Sequence, residues 1–289
     1  MLLQFIYRFL SSAGAKQSWY RLAILAVVVG LQQASMLPAR SQTQAPTAPA
    51  TPTTPTAPTA PTAPTALTTI LTKIDAAASQ RQLPELSRYY SANFSPSDGL
   101  TKAAWQQALN KFWQGYNSIQ YTTTVDSWKS QDNGYTARTT TKITGTQNLN
   151  GRIQNLLATI QSRQKIVGGQ IVQQQVLQER TQISSGVKPP TIELNLPERL
   201  QTNAEYNLDA IVTEPLGDDV LLGMTLEQPV SAQGYELQSK YKLELLTAGG
   251  LFKVARAPGK SGDYWVSTMF IRPTGMTTLT QRVRVSRGK

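Results

Sequence analysis

The stretch Ser118–Ile143, SIQYTTTVDSWKSQDNGYTARTTTKI, decides the fold. Ile119, Tyr121, Thr123 and Val125 alternate with polar residues, as do Tyr135, Ala137, Thr139, Thr141 and Ile143. Period two is the mark of a strand with one buried face. Between the runs, Asn133-Gly134 tolerates the positive φ of a tight hairpin, and Asn150-Gly151 and Gly168-Gly169 repeat that signal downstream. The spacing predicts four strands and three hairpins, an antiparallel meander ending near Ile183. Ile153, Leu156, Leu157 and Ile160 also fit a helical stripe, but the flanking hairpin signals favour a strand.

Upstream, the period is helical. Leu67, Ile70, Leu71, Ile74 and Ala78 make one apolar stripe. Pro84 suits the first turn of a second helix, expected to run through Leu86, Tyr89 and Tyr90 toward Phe94. Ser95-Pro96-Ser97-Asp98-Gly99 reads as a loop. Thr101 resembles an N-cap for a third helix carrying Trp105, Ala108, Leu109, Phe112 and Tyr116, with Gly115 near its end. Residues 67–188 are therefore expected to be an α+β cone, three helices packed on a curved antiparallel sheet.

Gly186-Val187-Lys188-Pro189-Pro190 marks a boundary, because two prolines neither extend a helix nor join a central strand. Beyond it come seven short alternating runs: Ile192–Leu196, Tyr206–Val212, Val220–Leu226, Tyr241–Leu246, Leu251–Ala255, Trp265–Ile271 and Leu279–Val285. That count predicts an all-β sandwich over 189–289, immunoglobulin-like in architecture only, since the cysteine pair of antibody domains is missing.

The N-terminal 66 residues read differently. Leu22–Leu31 is a short apolar run preceded by Arg8, Lys16 and Arg21 and followed by Ala39-Arg40-Ser41. This order predicts a secretory signal over 1–41, cut before Gln42; ten apolar residues fall short of the roughly 20 that span a bilayer. A leader kept uncut would make a membrane-tethered protein. Residues 42–66 repeat Ala, Pro and Thr, a disordered or polyproline-like linker reaching at most ~75 Å. The expected location is the periplasm, the cell envelope or a lumen.

The chain has no His and no Cys. That excludes thiolate nucleophiles, Ser-His-Asp triads, disulfides, and thiolate or imidazole metal sites. No cofactor or metal is expected. The formal charge is +11; the four leader cations account for part of it, leaving the remainder nearer +7. Residues 67–188 carry 13 basic and 6 acidic side chains, whereas 189–289 carry 11 of each. The cations are scattered along the sequence without interleaved aromatics, so nucleic acid is not expected as a partner, and an anionic envelope surface fits better. Arg282 and Arg284 share one face of the last strand, and Glu214, Asp218 and Asp219 form an acidic turn. A run of glutamines from Gln170 to Gln182 suits a solvated strand face or contact with a glycan.

Tyr89-Tyr90-Ser91-Ala92-Asn93-Phe94, Asp98-Gly99-Leu100-Thr101-Lys102, the Trp105–Tyr116 helix and the Ile119 strand together resemble the nuclear transport factor 2-like superfamily. That family includes polyketide cyclases, ketosteroid isomerases and non-enzymatic domains. The resemblance covers about 67–185 and implies a cone enclosing a pocket. Tyr90, Phe94, Trp105, Phe112, Trp113, Tyr116, Tyr121 and Trp128 are the aromatics available to line it. It also implies a carboxylate base in any enzymatic member, for which Asp98 and Asp126 are the candidates, and pairing of two copies through the open sheet face. The expected function is an exported, non-catalytic binding or assembly module for a small apolar ligand or a protein. An isomerase- or cyclase-like enzyme using a pocket Asp is the alternative.

Overall fold

The alternation begun at Ile119 extends much further than those first runs. The computed structural model describes residues 62–231 and 242–288; the expected signal over 1–41, most of the expected linker (42–61) and Tyr241 of the expected fourth strand lie outside the described residues. The meander strands are β2 (Ser118–Gln131), β3 (Gly134–Leu149), β4 (Arg152–Val167) and β5 (Gln170–Gly186). Asn150 and Gly151 both take positive φ, as do Gly168 and Gly169, the primed-turn geometry that matches strand twist. The ambiguous Ile153–Ile160 segment is strand. Its even-numbered side chains Leu156 and Ala158 are buried, while Ile153 and Leu157 face solvent.

Three helices cover one face of this meander. Helix α1 (Thr65–Ser79) buries Leu67, Leu71, Ile74, Ala77 and Ala78, and it takes Thr65 and Ala66 from the expected linker. Helix α3 (Lys102–Gln114) is capped as expected, with the Thr101 hydroxyl accepting from the Ala104 N–H at 3.1 Å. The second helix is shorter than the sequence suggested. Helix α2 spans only Leu83–Arg88, and Tyr90–Pro96 is strand β1, paired in parallel with β5. The misreading has a geometric cause: Tyr90 and Phe94 are four residues apart, and four residues return a side chain to one face of a strand as well as of a helix. Their rings meet edge-on at 4.8 Å, and both pack against Trp105.

The second half supplies β6 (Ile192–Asn195), β7 (Arg199–Gln201), β8 (Glu205–Val212), β9 (Leu222–Pro229), β10 (Glu244–Leu245), β11 (Gly250–Arg256), β12 (Gly262–Arg272) and β13 (Gly275–Ser286). Strands β9, β12 and β13 do not form a sheet of their own. They extend the meander into one ten-stranded sheet of order β10-β9-β12-β13-β5-β4-β3-β2, with β1 and β7 attached to its side. The smaller sheet β11-β8-β6 packs on the far face of β9, β12 and β13 and completes a β-sandwich. Alternation sorts the side chains: Val266, Phe270, Leu279 and Val283 fill the sandwich core, whereas Met269 and Met224 join the core beneath the helices. The seam between the halves is the β13–β5 ladder, where Gly275 pairs with Gly186. A Cβ at Gly186 would sit 2.5 Å from the Gly275 Cα, and one at Gly275 would sit 2.5 Å from the Ser185 carbonyl oxygen. This is a close approach of two backbones that leaves no room for a side chain.

Candidate functional site

Between the helices and the inner face of the sheet lies a cavity of about 160 Å³. Its walls are apolar where the helices meet the sheet: Leu71, Ile74, Leu109 and Phe112 on one side, Ile143 and Ile160 on the other. Of the eight candidate aromatics, Tyr90, Trp105, Phe112 and Tyr121 line it. Phe94, Trp113 and Tyr116 are buried in the surrounding core without lining it, and Trp128 packs on Tyr135 near the β2–β3 hairpin. The volume resembles the ~150 Å³ apolar cavity known to accept benzene and falls below the roughly 300 Å³ at which drug-sized pockets begin.

One polar group of the wall was not foreseen in the sequence. Asp75 projects from α1, and its carboxylate accepts from both the N–H (2.6 Å) and the hydroxyl (2.7 Å) of Thr123 on β2. Burial raises its pKa above the ordinary carboxylate value despite these bonds. The phenols of Tyr90 and Tyr121 share the cavity, and burial raises both of their pKa values; for Tyr90 the nearby Asp75 charge adds to the shift. Tyr121 accepts a hydrogen bond from the Trp113 indole at 3.0 Å. Gln164 is only 5% exposed, and its side-chain carbonyl oxygen has no hydrogen-bond partner among the described residues. Sequence periodicity assigns Gln164 to the inner face but carries no signal that a polar side chain would be needed there.

The second polar group lies where the cone meets the second half. Arg282 on β13 is 3% exposed in its side chain and is surrounded by carboxylates. Its guanidinium holds Asp98 in a two-pronged pair at 2.9 and 3.0 Å, Glu179 at 2.9 Å and Asp263 at 3.0 Å. The Trp265 indole also donates to Glu179, at 3.2 Å. Arg284 binds Asp263 from the other side at 2.8 Å. Burial would raise the Asp263 pKa, but the Arg284 hydrogen bonds and the two guanidinium charges hold it below the usual range. Asp98 thus lines the cavity as one half of an ion pair that ties the β1–α3 loop to the last strand. Asp126 stands on the other face of β2, exposed, accepting from the Thr140 hydroxyl at 2.8 Å. Of the two candidate bases, one is held by a guanidinium and one is outside the cavity. Of the carboxylates lining the cavity, Asp98 and Glu179 are paired with Arg282, and Asp75 is held, among the described residues, by Thr123 alone. The acidic turn is also engaged at home, Asp219 pairing with Arg272 at 2.8 Å and Glu214 accepting from the Thr191 N–H.

Residues 187–286 match a family described as a domain of unknown function (DUF8623). No curated protein matches the chain. Among solved structures, Bd1075 of Bdellovibrio bacteriovorus is similar at 12% identity with a TM-score of 0.29, over 38% of this chain and 38% of that one. AclR of Streptomyces galilaeus is similar at 14% identity with a TM-score of 0.29, over 38% of this chain and 76% of its own. The first of these likenesses spans well under half of that protein's length.

Proposed function

We propose that the chain is an exported binding module whose cone, of nuclear transport factor 2-like type, takes a small and mostly apolar ligand with one hydrogen-bonding head. The buried Gln164 side chain carries this reading: its carbonyl oxygen has no partner among the described residues, and it lines the cavity together with the Tyr90 side chain and the apolar walls. An unmet buried acceptor costs about 1–3 kcal/mol, which a ligand hydroxyl donating to it would relieve. At about 160 Å³ the ligand is a single ring or a short chain. Titration calorimetry with benzene and phenol tests it. Phenol should bind up to about tenfold more tightly than benzene, and Gln164→Leu or Tyr90→Phe should remove that preference while benzene still binds. Failure of both probes to bind, or an undiminished preference in both variants, contradicts it.

A second reading rests on Asp75. A carboxylate with a raised pKa beside two phenols is suited to abstracting a proton next to a carbonyl, the phenols stabilising the enolate oxygen. Loss of turnover in Asp75→Asn, with phenol binding kept, would favour it over binding alone. Export rests on the basic, apolar, small-residue order of 1–41. The mass of the mature N-terminus tests it: Gln42 as first residue is the expected result, and Met1 contradicts it.

A further inference from the structure

The sandwich sheet covers the outer face of β9, β12 and β13 and leaves that of β2 to β5 bare among the described residues. The cations that look scattered in sequence gather there. Lys129, Arg138, Lys142, Arg163, Lys165 and Arg180 all alternate to this side, and all six are exposed. Arg138 stands directly opposite Arg163, and Lys142 and Arg180 flank Thr159. None of the six makes an ion pair among the described residues, although Arg138 donates to the Gln161 amide oxygen at 3.0 Å. The strands themselves contribute one exposed carboxylate to this side, Asp126, and it is engaged by Thr140. At the sandwich border Glu198 accepts from Gln178.

We propose that this face docks an anionic polysaccharide. Two rows of cations, Arg138–Arg163 and Lys142–Arg180, lie four residues apart, about 13 Å along the strands, with neighbouring strands about 4.8 Å apart. The positions between and beside them hold Thr140, Gln161, Thr159 and Gln175, hydroxyls and amides suited to sugar hydroxyls while the cations meet the acidic groups. Two observations weigh against other occupants. The aromatics of this part of the sheet, Trp128 and Tyr135, belong to the inner face, so there is no stacking platform for single-stranded nucleic acid and no aromatic anchor for a bilayer. A second copy meeting this face through a two-fold axis would set six cations against six.

The test is affinity electrophoresis of the full chain in gels containing polygalacturonate or neutral dextran. Retardation by polygalacturonate alone is expected, weakening as ionic strength rises from about 50 to about 500 mM. The triple variant Arg138→Gln/Arg163→Gln/Lys165→Gln should lose binding by roughly tenfold or more. The double variant Lys142→Gln/Arg180→Gln should lose binding at the other row, with the melting temperature of each variant unchanged. The proposal is overturned if both variants are retarded like the parent chain, or if dextran retards it equally. It also fails if phosphatidylglycerol vesicles, duplex DNA or self-association occupy the face and polygalacturonate does not.

Discussion

Arg282 and Arg163 stand on strands of the same ten-stranded sheet, one on each face, and they show how differently one residue type behaves in two surroundings. Arg282 is buried beneath the helices and the β1–α3 loop, meeting three carboxylates from three separate segments. Arg163 is exposed on the opposite face, with another arginine as its cross-strand neighbour and no acid beside it. A buried guanidinium is tolerated only when its partners are supplied, and those partners then fix the loop and strands that carry them. An exposed one is solvated, contributes little to stability and stays available to something outside. The inner face is thus organised by satisfaction of charge and the outer by its excess.

The largest test of this contrast is Arg282→Met. It leaves Asp98, Glu179 and Asp263 without their shared counter-charge, and a loss of about 3–5 kcal/mol is expected in urea unfolding. A loss below about 1 kcal/mol would show that the carboxylates relax into water and that the loop is not pinned.

What the sequence made legible divides along the same line. Period two and the paired turn residues foretold all four meander strands, and the apolar stripe and Thr101 foretold α1 and α3. Those features are local, so they survive in a string of letters. The Tyr90–Pro96 strand was missed because a four-residue spacing is shared by both periods and its partner, β5, lies some eighty residues away. The joining of β13 to β5 was missed for a similar reason: hydrogen bonds between distant strands leave no mark on composition. Asp75 was hidden because an acid in an amphipathic helix reads as solvated; only the position of Thr123 across the fold shows otherwise.

Next in size is the seam. Gly275→Ala forces a Cβ against the Ser185 carbonyl oxygen and the Pro189 backbone, and Gly186→Ala adds a side chain at a φ of +103°. Each should cost about 1–3 kcal/mol. If the halves were only loosely apposed, either change would be absorbed with no shift in the urea midpoint.

The half-buried carboxylates Asp263 and Asp75 give opposite pH slopes. The folded pKa of Asp263 is depressed, so its stabilisation is present above its unfolded value near 3.8 and is lost as pH falls through the folded one; Asp263→Asn should flatten that acid limb. The folded pKa of Asp75 is raised, so its contribution is full below about 3.8 and declines as pH rises through the folded value. Asp75→Asn should therefore leave stability at pH 7 unchanged or raise it by up to about 1 kcal/mol. Urea titrations across pH 3–7 (about one-unit steps) compare the two variants directly; slopes of the same sign would contradict the assignment. Smallest of all are the outer-face cations, where Arg163→Gln should alter stability by less than about 0.5 kcal/mol.

The proposed ligand head sits in the inner cavity at the Gln164 carbonyl oxygen, beside Tyr90. The most direct measurement is a phenol titration followed in the amide side-chain and indole signals of the two-dimensional ¹H–¹⁵N NMR spectrum. Saturable shifts are expected at the Gln164 side-chain amide and the Trp105 indole, with the outer-face Gln161 amide unmoved. Shifts confined to surface amides, or none at Gln164 at saturating phenol, would contradict it.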